Sequence, residues 1–235
     1  MEVVLKIKIF SFMLLLFICT TATFTIKADT QPITTNKSIK VNKNTKLYKI
    51  LKVKKSTMKN YTITSSKPKV ASVSSTGVVK GLKKGSSTIQ LISKSTGTTF
   101  ANVKINVKNN YNKAELRLMS SIIFSEAGSE CFAGKKAVGI VIMNRIISRS
   151  FPGSLSGVIY QPYQFGPVRN GSLNRSLSLY DSGKLNKDCI SAAKLTLNGD
   201  KKVNYGNRAI DMSSYLFFSG YVSGARLSIQ NHQFK

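Results

Sequence analysis

The chain has 235 residues, with 36 Lys and Arg against nine Asp and Glu, a formal net charge of +27, one His, three Cys and no Trp. Its length favours two domains over one, and a single imidazole without any Cys-x-x-Cys pair excludes zinc sites built from paired thiolates or several histidines. The charge is uneven: about seventeen Lys, no Arg and one carboxylate fall between Asp29 and Asn110, whereas Tyr111 to Lys235 mixes about sixteen basic residues with seven carboxylates.

At the start of the chain Lys6 and Lys8 precede an apolar run from Ile9 to Cys19, and small and polar residues follow up to Ala28. The run is shorter than the roughly 18 to 20 residues that span a bilayer, and small residues offer a peptidase site after Ala22 or Ala28, so residues 1–28 read as a signal peptide. Ile18 precedes Cys19 where a lipoprotein signal has a small residue. The expectation is a secreted protein with no stable membrane span after signal cleavage. Export removes most of the case for nucleic acid as a partner and leaves anionic wall polymers as what a Lys-rich surface attracts. Cys131 and Cys189 remain in the exported chain, where a disulfide between them and two separate buried thiols are both compatible with the sequence.

Between Ile39 and Val107 short apolar runs rich in Val, Ile and Thr recur about every ten residues. Strands are expected at 39–41, 47–51, 61–63, 70–73, 78–79, 88–92 and 100–107, separated by Ser-, Gly- and Lys-rich turns, the pattern of an all-β sandwich over residues 29–108. Gly77 and Gly85 stand where the chain reverses, and such turns often need φ > 0. The segment Tyr61 to Ile89, with Ser-Ser-Lys-Pro-Lys-Val-Ala-Ser-Val-Ser-Ser-Thr-Gly-Val-Val-Lys-Gly at its centre, resembles the group 2 bacterial immunoglobulin-like domain. That family usually has Trp where this chain has Ile63.

Residues 109–113 are polar and aperiodic and serve as the linker. Beyond them, in the domain 114–235, Leu116, Met119, Ile122 and Ile123 fall at helical spacing, a second helix is expected from about Ala133 to Arg149, and a third from about Asp188 to Leu197. The aromatic C-terminal part is ambiguous in period.

Glycoside cleavage needs a carboxylic acid kept protonated beside the leaving oxygen, hence a carboxyl in apolar surroundings. Of the seven carboxylates in this half, Glu126 follows Ile122-Ile123-Phe124-Ser125 at a helix end and precedes Ala127-Gly128, whereas Glu115 lies in an exposed first turn where it serves the helix dipole. Spacing alone leaves Glu126 open as an ordinary capping carboxylate. The stretch Ser125-Glu126-Ala127-Gly128-Ser129-Glu130, then Gly134 to Arg145, then Phe151-Pro152 and Ser156 to Val168, resembles the SleB-type cell-wall hydrolases, which include spore-cortex-lytic enzymes.

The resemblance implies a mainly α (α+β) lysozyme/lytic-transglycosylase-like domain behind the sandwich, acting on peptidoglycan glycan strands of the cell wall or spore cortex. Glu126 matches the family's catalytic acid and Glu130 its second glutamate, although Gly128 and Ser129 stand where the family has Arg-Gly. The implied reaction cleaves the MurNAc-GlcNAc bond as a lytic transglycosylase, leaving 1,6-anhydromuramoyl ends, and needs no cofactor and no metal. Gln164, Phe165, Tyr205, Tyr215, Phe217 and His232 are substrate-binding candidates. Asn144 and Arg145 read as structural residues of the second helix. The alternatives are a hydrolytic muramidase using both Glu126 and Glu130, a wall-binding or adhesive protein without activity, and a thiol peptidase on Cys131 and His232, for which no Cys-His-polar motif is present.

Overall fold

A computed structural model describes residues 31–235; the signal-peptide reading of residues 1–28 lies outside them. The first part of the chain runs β1 (Ile33–Lys40), β2 (Asn44–Lys46), α1 (Leu47–Ile50), a 3-10 turn (Lys55–Asn60), β3 (Tyr61–Ser65), β4 (Ala71–Val73), β5 (Val78–Gly81), β6 (Gly85–Ser93) and β7 (Thr99–Lys108). Two sheets form, one in the order β1-β7-β6-β3 and one in the order β2-β5-β4. All pairs are antiparallel except β1 with β7, which run parallel in register from Ile33 opposite Ala101 to Lys40 opposite Lys108.

Alternation in the sequence sets which face is buried. Ala101, Val103, Ile105 and Val107 of β7 and Ile89 and Leu91 of β6 point inward against Val79, Ala71, Met58 and Leu47. Each such aliphatic side chain contributes roughly 1.5–3 kcal/mol on full burial. Gly77 turns at φ +77° and Gly85 at φ +153°. One expected strand is not there: Leu47 to Ile50 is a short helix closed by the Leu51 amide, which donates to the Leu47 carbonyl at 2.8 Å, and Leu47 and Leu51, four residues apart, both enter the core, a spacing that a helical turn and one face of a strand satisfy alike.

The second part comprises α2 (Lys113–Ala127), α3 (Phe132–Ile147), α4 (Leu155–Ile159), α5 (Gly166–Arg169), α6 (Ser172–Asp181), α7 (Lys187–Leu197), β8 (Lys202–Tyr205), β9 (Arg208–Asp211), β10 (Phe218–Ser219), β11 (Leu227–Ile229) and β12 (His232–Phe234). Lys113, read as linker, is the first residue of α2. Asn112 caps that helix: its side chain accepts from the Glu115 amide at 2.9 Å while Glu115 Oε2 accepts from the Asn112 amide at 2.8 Å, so Glu115 is committed to the helix start. Helix α2 is central and packs on α3, α6 and α7. Met119, Ile122, Ile123 and Ala127 meet Val138, Ile142, Leu173, Leu177, Ala192 and Ala193 in one core. The segment of ambiguous period is β: a β8–β9 hairpin and a small sheet in the order β10-β12-β11, which covers the other side of α3 through Val203, Met212, Ile229 and Phe234.

The two parts are joined by amides. Asn42 Nδ2 donates to the Asn198 carbonyl at 2.9 Å, the Asn110 amide donates to Asn198 Oδ1 at 3.1 Å, and Asn110 Nδ2 donates to the carbonyls of Val41 at 3.2 Å and Asn198 at 3.1 Å.

Candidate active site

Glu126 lies in the last turn of α2, half-buried, and among the described residues its carboxyl makes no hydrogen bond. The other engaged carboxylates contrast with it. Asp181 takes two hydrogen bonds of 2.6 Å from Arg117, Asp200 is paired with Lys136 at 2.7 Å, and Asp211 accepts from Ser213. Burial pushes the Glu126 carboxyl from its ordinary 4.5 up to about 7, against the opposing pull of the Arg145 cation.

Arg145 comes from α3 and is only 4% exposed. Its Nε donates to the Leu216 carbonyl at 2.8 Å, and its guanidinium carbon lies 5.1, 5.4 and 5.7 Å from the ring centroids of Phe151, Phe165 and Phe217. The three rings supply a negative face to a cation that has lost water. Nη1 is enclosed without a hydrogen-bond partner. Desolvation pulls the guanidinium below its ordinary range, and Glu126 opposes that shift. Next to it Asn144 Nδ2 donates to the carbonyls of Met212 at 2.7 Å and Tyr215 at 2.9 Å, fixing the C-terminal segment over the helix.

Glu130 has a different setting. It is 4% exposed, and its carboxylate accepts from Asn231 Nδ2 at 3.0 Å and from the Asn231 amide at 3.4 Å. Gly134 leaves room for it, since a Cβ there would fall 2.9 Å from the Glu130 Cβ. Lys135 Nζ donates to the Glu130 carbonyl. Glu130 therefore ties the α2–α3 turn to the β11–β12 turn and has no free lone-pair face toward solvent comparable to that of Glu126. His232 Nδ1 is 3.8 Å from Glu130 Oε1, its ring meets Phe218 edge-on at 5.5 Å, and burial lowers its pKa, with Glu130 opposing. At pH 7 it is a neutral packing residue. We expect Glu130→Gln to cost about 1–3 kcal/mol of stability in a thermal melt, from a weakened buried acceptor, with a smaller effect on cleavage than any change at Glu126.

The remaining candidates divide. Phe217 is 47% exposed and borders the Arg145 cage. Gln164 is exposed on the loop before α5. Phe165 is 2% exposed, packed against Arg145 and Phe218, so it anchors that loop from beneath and offers no ring face to a sugar. Tyr215 has Arg226 at 4.5 Å over its ring, which covers that face. Tyr205 stands at the β11–β12 turn, where its hydroxyl accepts from the Gln230 amide at 3.4 Å. Tyr163, not among the sequence candidates, is 86% exposed with φ +64° on the loop that Phe165 anchors. Its signal was the Pro162-Tyr163-Gln164 turn itself, since a bulky residue in the left-handed region is uncommon. Cys131 and Cys189 are both free thiols; burial raises the Cys189 thiol to about 11.

One turn of backbone accounts for the departure from the family's Arg-Gly. A Cβ at position 128 would lie 2.6 Å from the Phe124 carbonyl oxygen, so this path through the end of α2 requires Gly there.

Residues 129–234 match the family model "Cell Wall Hydrolase", and residues 28–104 match "Bacterial Ig-like domain (group 2)". The first match begins just after Glu126 and includes Glu130. The chain is 40% identical over 68 residues to the spore cortex-lytic enzyme of Bacillus cereus, covering 29% of this chain and 26% of that one. It is 34% identical over 71 residues to that of Bacillus subtilis (strain 168), covering 30% and 23%. The chain thus spans about a quarter of the length of these curated relatives. Among solved structures, the catalytic domain of the germination-specific lytic transglycosylase SleB from Bacillus anthracis is 26% identical, with a TM-score of 0.40, covering 55% of this chain and 98% of that one. Residues 129–234 thus carry a cell wall hydrolase domain, and the sandwich before it is a group 2 bacterial Ig-like domain.

Proposed function

We propose that the protein is an exported peptidoglycan-cleaving glycosidase acting on the MurNAc-GlcNAc bond as a lytic transglycosylase, in cell wall or spore cortex, with Glu126 as acid and then base. One observation carries the reading. Glu126 is a half-buried carboxyl without a hydrogen-bond partner whose pKa rises to about 7, so near neutral pH it holds a proton to give and can take one back.

Protonated Glu126 donates its proton to the glycosidic oxygen as the bond to the muramoyl anomeric carbon breaks. The resulting carboxylate then takes the proton of the 6-hydroxyl on the same sugar, whose oxygen closes on that carbon. No water is consumed, and the tethered hydroxyl supplies the proximity that a second carboxylate would otherwise have to provide for water. The setting of Glu130, held by Asn231, favours this route over a two-carboxylate hydrolase. The sugar would lie along exposed Phe217 and Tyr163, with Gln164 between, aromatic faces of the kind that bury apolar ring edges.

The test is digestion of purified peptidoglycan, with released ends identified by mass spectrometry. Anhydromuramoyl ends support the reading; water-derived reducing ends replace it with the muramidase, and no ends at all with a wall-binding protein. The acid role also fixes the pH dependence. Only protonated Glu126 starts the reaction, so kcat/KM should fall about tenfold per pH unit above a single apparent pKa near 7. A pH-independent rate between 6 and 9 would remove Glu126 from that role.

A further inference from the structure

We propose that the groove between the Ig-like domain and the hydrolase domain is a binding site for a flexible polyanion. The groove has a volume of about 1370 Å³ and is lined from the sandwich by Lys83 and Lys84, and from the hydrolase domain by Lys113, Lys194, Lys201 and Lys202. Two carboxylates, Asp200 and Asp211, also face it. Both are already engaged: Asp200 by Lys136 Nζ and the Lys202 amide, Asp211 by the amide and hydroxyl of Ser213. Among the described residues none of the six lysines has an ion-pair partner. The six ammonium groups face one carboxylate that no ion pair neutralises, Asp211, whose charge acts on Lys201 and Lys202, so the groove keeps an excess of positive charge that focuses a positive potential into one channel.

The groove is built by the fold. Asn42 of the sandwich bonds Asn198 directly, and Asn110 of the linker bonds both Val41 and Asn198, so the two walls are tied together at this edge of the groove. Its cations are all Lys, with no Arg among the lining residues. Lys acts as a point charge, whereas Arg reads carboxylate or phosphate shape bidentately. The groove therefore recognises repeated charge along a chain rather than the shape of one anionic group, and the ligand class is a flexible polyanion. On the reading of the protein as exported and wall-directed, such a polymer would hold the hydrolase on its substrate; the binding chemistry itself stands without that reading.

The test measures the affinity of residues 29–235 for inorganic polyphosphate, with poly-L-glutamate as the carboxylate arm. Lys83→Glu, Lys84→Glu and Lys201→Glu are combined in one variant. Lys37→Glu, Lys94→Glu and Lys104→Glu, exposed on the sandwich and outside the groove lining, make a control of equal net charge. The groove variant should bind polyphosphate at least tenfold more weakly and the control within threefold of the parent, with both retaining the melting temperature and the cleavage of soluble glycan fragments. Weaker poly-L-glutamate binding than polyphosphate binding narrows the site to phosphates, and equal groove-dependent binding of the two keeps the ligand class at polyanions at large. Equal losses in groove variant and control overturn the proposal in favour of diffuse charge. Loss of fragment cleavage in the groove variant also overturns it, because the groove would then belong to the catalytic platform. Binding is read without turnover, so a catalytically inactive protein leaves the outcome intact.

Discussion

Replacing Glu126 by Gln is expected to lower peptidoglycan cleavage by about a thousandfold or more, the upper part of the range for loss of a general acid, while the protein becomes more stable at alkaline pH. The amide keeps the shape of the carboxyl but neither gives nor takes the catalytic proton. The stability gain follows from the direction of the shift. The folded-state pKa is raised from 4.5 to about 7, so the folded state binds more protons than the unfolded one in that window. Below pH 4.5 the carboxyl is protonated in both states and costs nothing. As pH rises from there through 7, wild type loses stability, up to roughly 3 kcal/mol for a shift of this size. Denaturant melts of wild type and Glu126→Gln should therefore coincide near pH 4 and separate by pH 8, with the variant the more stable. Retained cleavage in the variant would end the assignment, and equal stability at pH 8 would mean that the carboxylate is well solvated.

The second large effect is expected at Arg145. Arg145→Lys keeps a cation but loses the hydrogen bond to the Leu216 carbonyl and the stacking against Phe151, Phe165 and Phe217, for a combined loss of roughly 2–4 kcal/mol. Arg145→Met loses the charge as well. Because the Arg145 cation holds the Glu126 pKa down, its removal moves the alkaline limb of the pH profile upward, whereas Arg145→Lys should leave that limb near its original position. The shift of the limb, read beside the melt, separates electrostatic tuning of Glu126 from simple loosening of the fold. Unchanged limbs in both variants would make Arg145 a packing residue only.

Much of this site was legible in the sequence because its parts are local. Glu126 sits at the end of an apolar helical run, which spacing alone left open as a capping carboxylate, and the resemblance carried by Ser125 to Glu130 singled it out. The α3 and α7 periods were equally plain. What escaped is what depends on distant partners. Leu47 to Leu51 carries strand-forming composition, and its two leucines, four apart, would share a face in a strand as in a helical turn, so their spacing does not choose between the two; their core partners Met58 and Val79 are distant in sequence. Helix α6, rich in Ser and Asn, was not anticipated; its Leu173 and Leu177 reach the core and Ser176 bonds Ser125 at 2.6 Å, a close approach that small side chains allow. Phe165 stood among the substrate-binding candidates, and its burial follows from distant partners, the Arg145 guanidinium and Phe218. Glu130 was matched to the family's second glutamate by resemblance, while its Asn231 partner lies at the far end of the chain.

The parallel pairing of β1 with β7 has a mechanical consequence. With Ile33 opposite Ala101 and Lys40 opposite Lys108, the start of β1 and the end of β7, from which the hydrolase domain continues, lie at opposite ends of one ladder. Tension applied between the start of β1 and the hydrolase domain pulls the two strands past each other, so every hydrogen bond of the ladder shares the load at once instead of opening in turn. An enzyme tethered through this domain to a stretched polymer network would resist being drawn out before its catalytic half is disturbed.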